Sequence, residues 1–255
     1  MRNEVESPME PLGPAPASAP PASRPSRKAS AVVLFGLVLA TLTAIGVASW
    51  LYRPRPPRGL PNDPEVAEAV ARLGGALDVE VGDLRFATSF GESEDSGRPP
   101  DSTRVARWMA AARTLDVARA RHRFDPRFDC LLGHLELAAA RLRRAERRYH
   151  AALSLAPRYG EARLGLGVTL ARRAAAEGRT AQRALRLQAI AQLAAVEAED
   201  PFYRVALFDR VLLLADVGRT DEARQLADRY AALEPGSVWT GVLRRRLDAG
   251  RPDSG

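Results

Sequence analysis

The sequence predicts an all-α chain: an N-terminal transmembrane helix followed by an α-solenoid of about three helical hairpins, closed by a C-terminal capping helix. Three observations carry this expectation. Aromatic residues make up only 6% of the 255 while alanine and leucine abound, a balance that suits packed helices better than a sheet. A run of 22 residues, Ala31 to Tyr52, contains no charged side chain. In the second half, an alanine followed twelve residues later by a proline occurs three times.

Residues 1–30 are rich in Pro, Ala and Ser. They offer too little apolar area to offset the entropy of ordering, so a disordered tail is expected. The run 31–52 follows. About 21 helical residues at ~1.5 Å rise cover roughly the ~30 Å hydrocarbon core of a bilayer. Trp50 and Tyr52 stand where an interfacial aromatic pair would. A cleaved signal peptide, with Val47-Ala48-Ser49 as its site, and a buried core helix are the rival readings; the 30-residue leader and the length of the run favour the anchor. Arg24, Arg27 and Lys28 on one flank match Arg53, Arg55 and Arg58 on the other, so the positive-inside rule does not orient the span. A short leader before a lone span gives the expectation of an extracytoplasmic C-terminal domain. Residues 53–62 form a proline-rich linker, extended and semi-rigid.

Residues 63–125 read as a helical N-terminal part. Asp63 before Pro64 is a helix start, and Gly74-Gly75 a stop. Leu77, Val79 and Val81 alternate as in a short extended segment, and a Gly/Ser/Pro loop runs from Gly91 to Pro100. A second helix should then run from Asp101 or Ser102 to about His122, with Val105, Trp108, Met109, Ala112, Leu115 and Ala118 on one apolar face. Trp108 is expected to be a core anchor. Paired, these two helices would make a degenerate extra hairpin.

The repeats occupy residues 126–249 together with the cap. Leu132-Gly133 leads to Ala145, Tyr149 and Pro157; Leu166-Gly167 leads to Ala189, Leu193 and Pro201; Arg210-Val211 leads to Ala223, Ala227 and Pro235. Gly133 to Gly167 and Pro201 to Pro235 are both 34 residues, whereas Pro157 to Pro201 is 44. The second copy therefore carries ten extra residues, expected around Arg172 to Thr180 in its first helix or its turn. Small residues permit close helix crossing, and a proline ends the second helix of each hairpin. Ser237 to Leu247 reads as the capping helix, with Val238, Leu243 and Leu247 inward, and residues 250–255 as a disordered tail.

This pattern and period resemble the tetratricopeptide repeat (TPR) family. The resemblance implies stacked hairpins with a concave groove lined by the first helix of each. The residues matching that lining are Cys130, His134 and Leu137, then Leu164, Val168 and Arg172, then Val205, Phe208 and Leu212. The Asn and Lys by which some members clamp a peptide carboxylate are missing, leaving Arg172 as the only substitute. Asp129 and Glu136 replace large aromatics of the first helix, and Arg210-Val211 replaces Leu-Gly, which predicts looser packing of the third hairpin.

Charge and chemistry narrow the function. The basic residues are 37 Arg and one Lys, with net charge +7 and pI near 10.4, favouring acidic partners or anionic surfaces. Arg141, Arg143, Arg144, Arg147 and Arg148 form the densest basic cluster. Cys130 and His134, one helical turn apart, amount to half a metal site. No further ligand is apparent, so neither metal nor cofactor is expected. No nucleophile motif occurs, and Gly165-Leu166-Gly167 continues into Val168-Thr169 and not into the Gly-Lys of a phosphate loop. The expectation is a non-enzymatic, membrane-anchored bacterial scaffold that binds a protein or peptide segment in its groove, serving assembly of a cell-envelope complex. The alternative is a basic module docking through the arginine cluster on anionic lipid or, less in keeping with the rest of the chain, on nucleic acid.

Overall fold

Asp63 acts as a helix cap: its Oδ1 accepts the backbone N–H groups of Glu65 at 2.9 Å and Val66 at 3.4 Å, satisfying two donors that a first turn leaves without partners. The helix it starts, α1 (Pro64–Leu73), packs on α2 (Ser102–Arg121). Trp108, Leu115 and Ala118 of α2 are buried against Val66 and Ala69, and the same cluster continues into Phe128, Leu132 and Leu135. The structure, a computed structural model, describes residues 40, 41, 43, 56, 59, 61–73, 84, 85 and 102–249, without the side chains of 104 and 105. The expected extended stretch Leu77 to Val81, the loop Gly91 to Pro100 and the inward Val105 lie outside the described residues or side chains, as do the two tails. Residues 1–47 and 48–255 are separate compact units. Within the run 31–52, Ala40, Thr41 and Thr43 are described, and they are helical. Among the described residues no helix is long and apolar enough to cross a membrane.

From Pro126 onward the chain folds into three antiparallel hairpins: α3 (Pro126–Ala138) with α4 (Leu142–Leu155), α5 (Gly160–Ala175) with α6 (Arg179–Ala194), and α7 (Tyr203–Asp216) with α8 (Thr220–Leu233). Helix α9 (Val238–Ala249) closes the array against α7 and α8. Leu243 and Leu247 of α9 point inward as expected, but Val238 is 76% exposed. It is the first residue of the helix, ahead of the turn that packs. First helices lie beside first helices, α3 on α5 and α5 on α7, forming one layer.

The residues that recur at matched spacing meet in space. Ala145, Ala189 and Ala223 are buried on the second helices. Four residues beyond each comes the side chain that fills the space over the glycine: a Cβ placed on Gly133 would come 2.7 Å from the Tyr149 ring, and one on Gly167 would come 2.8 Å from Leu193. In the third hairpin the sizes are exchanged. Val211 stands where the glycine would be and Ala227 where the large side chain would be, both buried. The departure read from the sequence as looser packing is a swap of volume between facing positions, which a close-packed interior accepts.

The ten extra residues of the second hairpin are not in its turn, which spans 176–178 just as the first hairpin's spans 139–141. Instead α5 continues eight residues past Gly167 where α3 continues five past Gly133. Helix α6 starts ten residues before Ala189 where α4 starts three before Ala145. Both helices are lengthened at the same end, keeping them paired. Ion pairs link successive hairpins around this core, including Arg158 with Glu197 at 2.5 Å, Arg173 with Glu146, and Arg186 with Asp216 at 3.5 Å. Partly exposed pairs of this kind contribute about 0–1 kcal/mol each, so the apolar layer carries the stability.

Candidate functional site

The layer of first helices is the candidate site, and burial divides its residues. Cys130, His134, Leu137, Leu164, Val168 and Phe208 are fully buried and Leu212 is 4% exposed. These side chains fill the contacts between neighbouring elements and do not offer open surface, which corrects their expected place in an open groove lining. The physical reason is that first helices pack side by side, so side chains that project laterally from one meet the next. Val205 and Arg172 remain half-buried. The Arg172 Nη1 donates to the backbone carbonyl of Leu137 at 3.1 Å, tying α5 to the last turn of α3.

Cys130 and His134 belong to a closed polar cluster. His134 Nδ1 lies 2.8 Å from Tyr149 Oη, and Nε2 lies 3.0 Å from Glu161 Oε1 and 3.5 Å from Cys130 Sγ. Tyr159 donates its hydroxyl proton to Glu161 Oε2 at 3.0 Å. A carboxylate only accepts, so Nε2 carries the hydrogen between His134 and Glu161. Thiol and carboxylate approach the same ring nitrogen, whereas a relay from carboxylate through imidazole to thiol uses both nitrogens in turn. The arrangement is therefore not that of a thiol protease. Donor atoms of Cys130, His134 and Glu161 do lie within 4.8 Å of one another, a set that zinc accepts. The third ligand type, undetected in the sequence, comes from the first turn of α5. The hydrogen bonds already satisfy His134 and Glu161 without an ion, and the cluster as it stands joins α3, α4 and α5.

Burial pushes the Cys130 thiol well above its ordinary range, and the negative charge of Glu161 adds to the effect. The folded chain thus keeps a proton that an unfolded chain releases near pH ~8.5. This contribution to stability is intact below that pH and is lost as pH rises above it. We expect the denaturant midpoint to fall between pH 7 and pH 9.5, and to fall less in Cys130→Val. An equal fall in the two proteins would refute a buried, proton-holding thiol.

The arginine cluster is largely engaged with acids. Arg148 reaches Asp129 at 3.3 Å and Asp116 at 2.7 Å, and Arg119 reaches the same Asp129 oxygen at 2.7 Å. Arg141 and Arg144 lie 3.8 and 4.0 Å from Glu136. Asp129 and Glu136, the residues that replace aromatics of the repeat pattern, are both buried. They need these partners because an uncompensated buried carboxylate is costly. Arg143 and Arg147 are the members of the cluster classed as exposed along with Arg144. Within the patch expected as a basic surface, Arg141, Arg144 and Arg148 are the charge complement of two buried acids, and Arg143 and Arg147 stay exposed.

One part of the site was not anticipated at all. Leu84 and Arg85 lie against the third hairpin, Leu84 in β-bridge geometry and packed on the main core. The backbone N–H of Arg85 donates to Asp209 Oδ1 at 2.6 Å, and its Nη1 donates to Tyr230 Oη at 2.9 Å. Its guanidinium lies 4.5 Å from the Trp239 ring centroid and 5.5 Å from that of Phe208. Asp209 is fully buried, and this burial holds its carboxyl well above the usual range despite the N–H and the charge of Arg85. The available signal was a lone carboxylate inside the apolar stretch Ala206 to Leu214.

Fold and site together define an array of antiparallel α-hairpins with a continuous layer of first helices. No family model matches the chain, and no curated protein matches it. Among solved structures it is similar to a thermophilic TPR protein of Thermus thermophilus, with 22% identity over 57% of this chain and 74% of that chain and a TM-score of 0.46. The reading of the repeats rests on this chain's own residues.

Proposed function

We propose that the chain is a non-enzymatic scaffold of the tetratricopeptide kind, anchored in a bacterial membrane by residues 31–52, with its hairpin array on the extracytoplasmic side. It holds a protein segment along the layer of first helices during assembly of a cell-envelope complex. The observation that carries the binding function is the seating of Leu84 and Arg85 on α7: the array accommodates a non-helical segment through a backbone hydrogen bond and side-chain pockets together. The uncharged run and the proline-rich linker support the anchor.

The test is photocrosslinking in the native membrane from positions 172 and 205, which are half-buried and can carry a probe without disrupting the core. A discrete protein adduct from these positions and none from exposed Arg143 is the expected result. Diffuse labelling equal at all three positions would overturn the reading. Carbonate extraction tests the anchor separately: the full-length protein should stay in the membrane pellet, and its release would remove the anchor from the proposal.

A further inference from the structure

Asp209 sits fully buried in α7, where a carboxylate costs free energy unless it is met by donors. Its Oδ1 receives the Arg85 N–H, while Oδ2 is buried with no hydrogen-bond partner among the described residues. The aromatic side chains next to it come from three helices. Phe208 of α7 meets Tyr230 of α8 edge-on at 5.7 Å and Trp239 of α9 edge-on at 5.3 Å. The Tyr230 hydroxyl donates to Glu234 Oε2 at 2.8 Å while accepting from Arg85. A carboxylate behind the phenol strengthens the phenol oxygen as an acceptor.

These features are specific in what they recognise. Aromatic faces and an acceptor oxygen around one planar cation select a guanidinium, which is weakly hydrated and stacks, over a compact and strongly hydrated ammonium. The Asp209 contact is to the main chain, and the neighbouring Leu84 is in β-bridge geometry. The pocket thus reads an arginine side chain together with the main-chain N–H of the same residue. Helix α9 is part of it, so the cap contributes to recognition as well as closing the core.

We propose that this pocket is a receptor for an arginine-bearing extended segment of a partner protein, and that the chain's own Arg85 occupies it in competition with that partner. The proposal rests on the scaffold reading and names the chemistry of its ligand. A segment tethered to the array competes at an effective concentration on the order of millimolar, so only a partner that also engages the rest of the layer displaces it. The self-contact sets a threshold for binding.

The probe is a fluorescein-labelled peptide of this chain's residues 81–88, titrated into detergent-solubilised full-length protein. Arg85→Ala should bind it at least about tenfold more tightly than wild type, because the tethered competitor has lost its side chain. In the Arg85→Ala background, Trp239→Ala should weaken binding at least about tenfold. Asp209→Asn, which keeps an acceptor oxygen, should weaken it less than Asp209→Leu. Circular dichroism establishes that each variant is folded; Trp239 is 37% exposed and suits that role. An unlabelled peptide with alanine in place of the arginine should fail to compete. If the alanine peptide competes as well as the arginine peptide, or if Arg85→Ala binds no more tightly than wild type, the pocket is not an arginine receptor. That result leaves the crosslinking test of the scaffold untouched, and a failed crosslinking test leaves this titration readable.

Discussion

Replacing Gly165 with alanine destabilises the hairpin array by about 2–3 kcal/mol, although alanine is the better helix former. The Tyr149 ring lies between two glycines: a Cβ on Gly133 would approach it to 2.7 Å, and one on Gly165 would overlap the ring and come to 2.7 Å of its oxygen. Gly133 belongs to the same hairpin as Tyr149 and Gly165 to the next, so this one side chain locks two hairpins together. The ring cannot swing aside without giving up the 2.8 Å contact with His134. Chemical denaturation of Gly165→Ala and of Gly165→Ala with Tyr149→Leu checks the argument. The second substitution should recover part of the loss, because the smaller side chain vacates the overlap. A single variant as stable as wild type would mean that the slot is not tight.

His134→Leu is expected to cost about 3 kcal/mol, because it leaves a buried carboxylate without one of its hydrogen-bond donors. It takes from Glu161, 3% exposed, its contact to a ring nitrogen, and from Tyr149 its hydrogen-bond partner. Adding Glu161→Leu should restore much of the stability, since a buried pair replaced by apolar side chains of similar size is often neutral. The double-mutant cycle reads this coupling directly. Additive losses would show that His134 and Glu161 do not act as a pair.

These two expectations concern residues of unequal legibility. Gly133, Gly167 and the alanines could be placed from sequence because their spacing is the spacing of helix crossings, a property of the chain itself. The role of Tyr149 as a wedge between hairpins could not, since Gly165 lies outside the recurring pattern. The exchange of volumes between Val211 and Ala227 read as a weakness until both were seen as facing positions. Likewise the arginines from Arg141 to Arg148 read as a charged surface because their acids, Asp116 and Asp129, come from other helices.

The sequence by itself determined the helices, their pairing into hairpins and the place of the cap, because helix periodicity, caps and breakers act over a few residues. It also located the uncharged run. Only the tertiary structure decided which first-helix side chains are buried, which acids the arginines meet, that Glu161 joins Cys130 and His134, and that Arg85 reaches Asp209. The longest of those contacts joins Arg85 to Asp209 across 124 residues, and Glu161 lies 27 residues from His134. Nothing local prescribes them. They follow from the stacking of hairpins, which brings distant segments within a few ångströms once the apolar layer has closed.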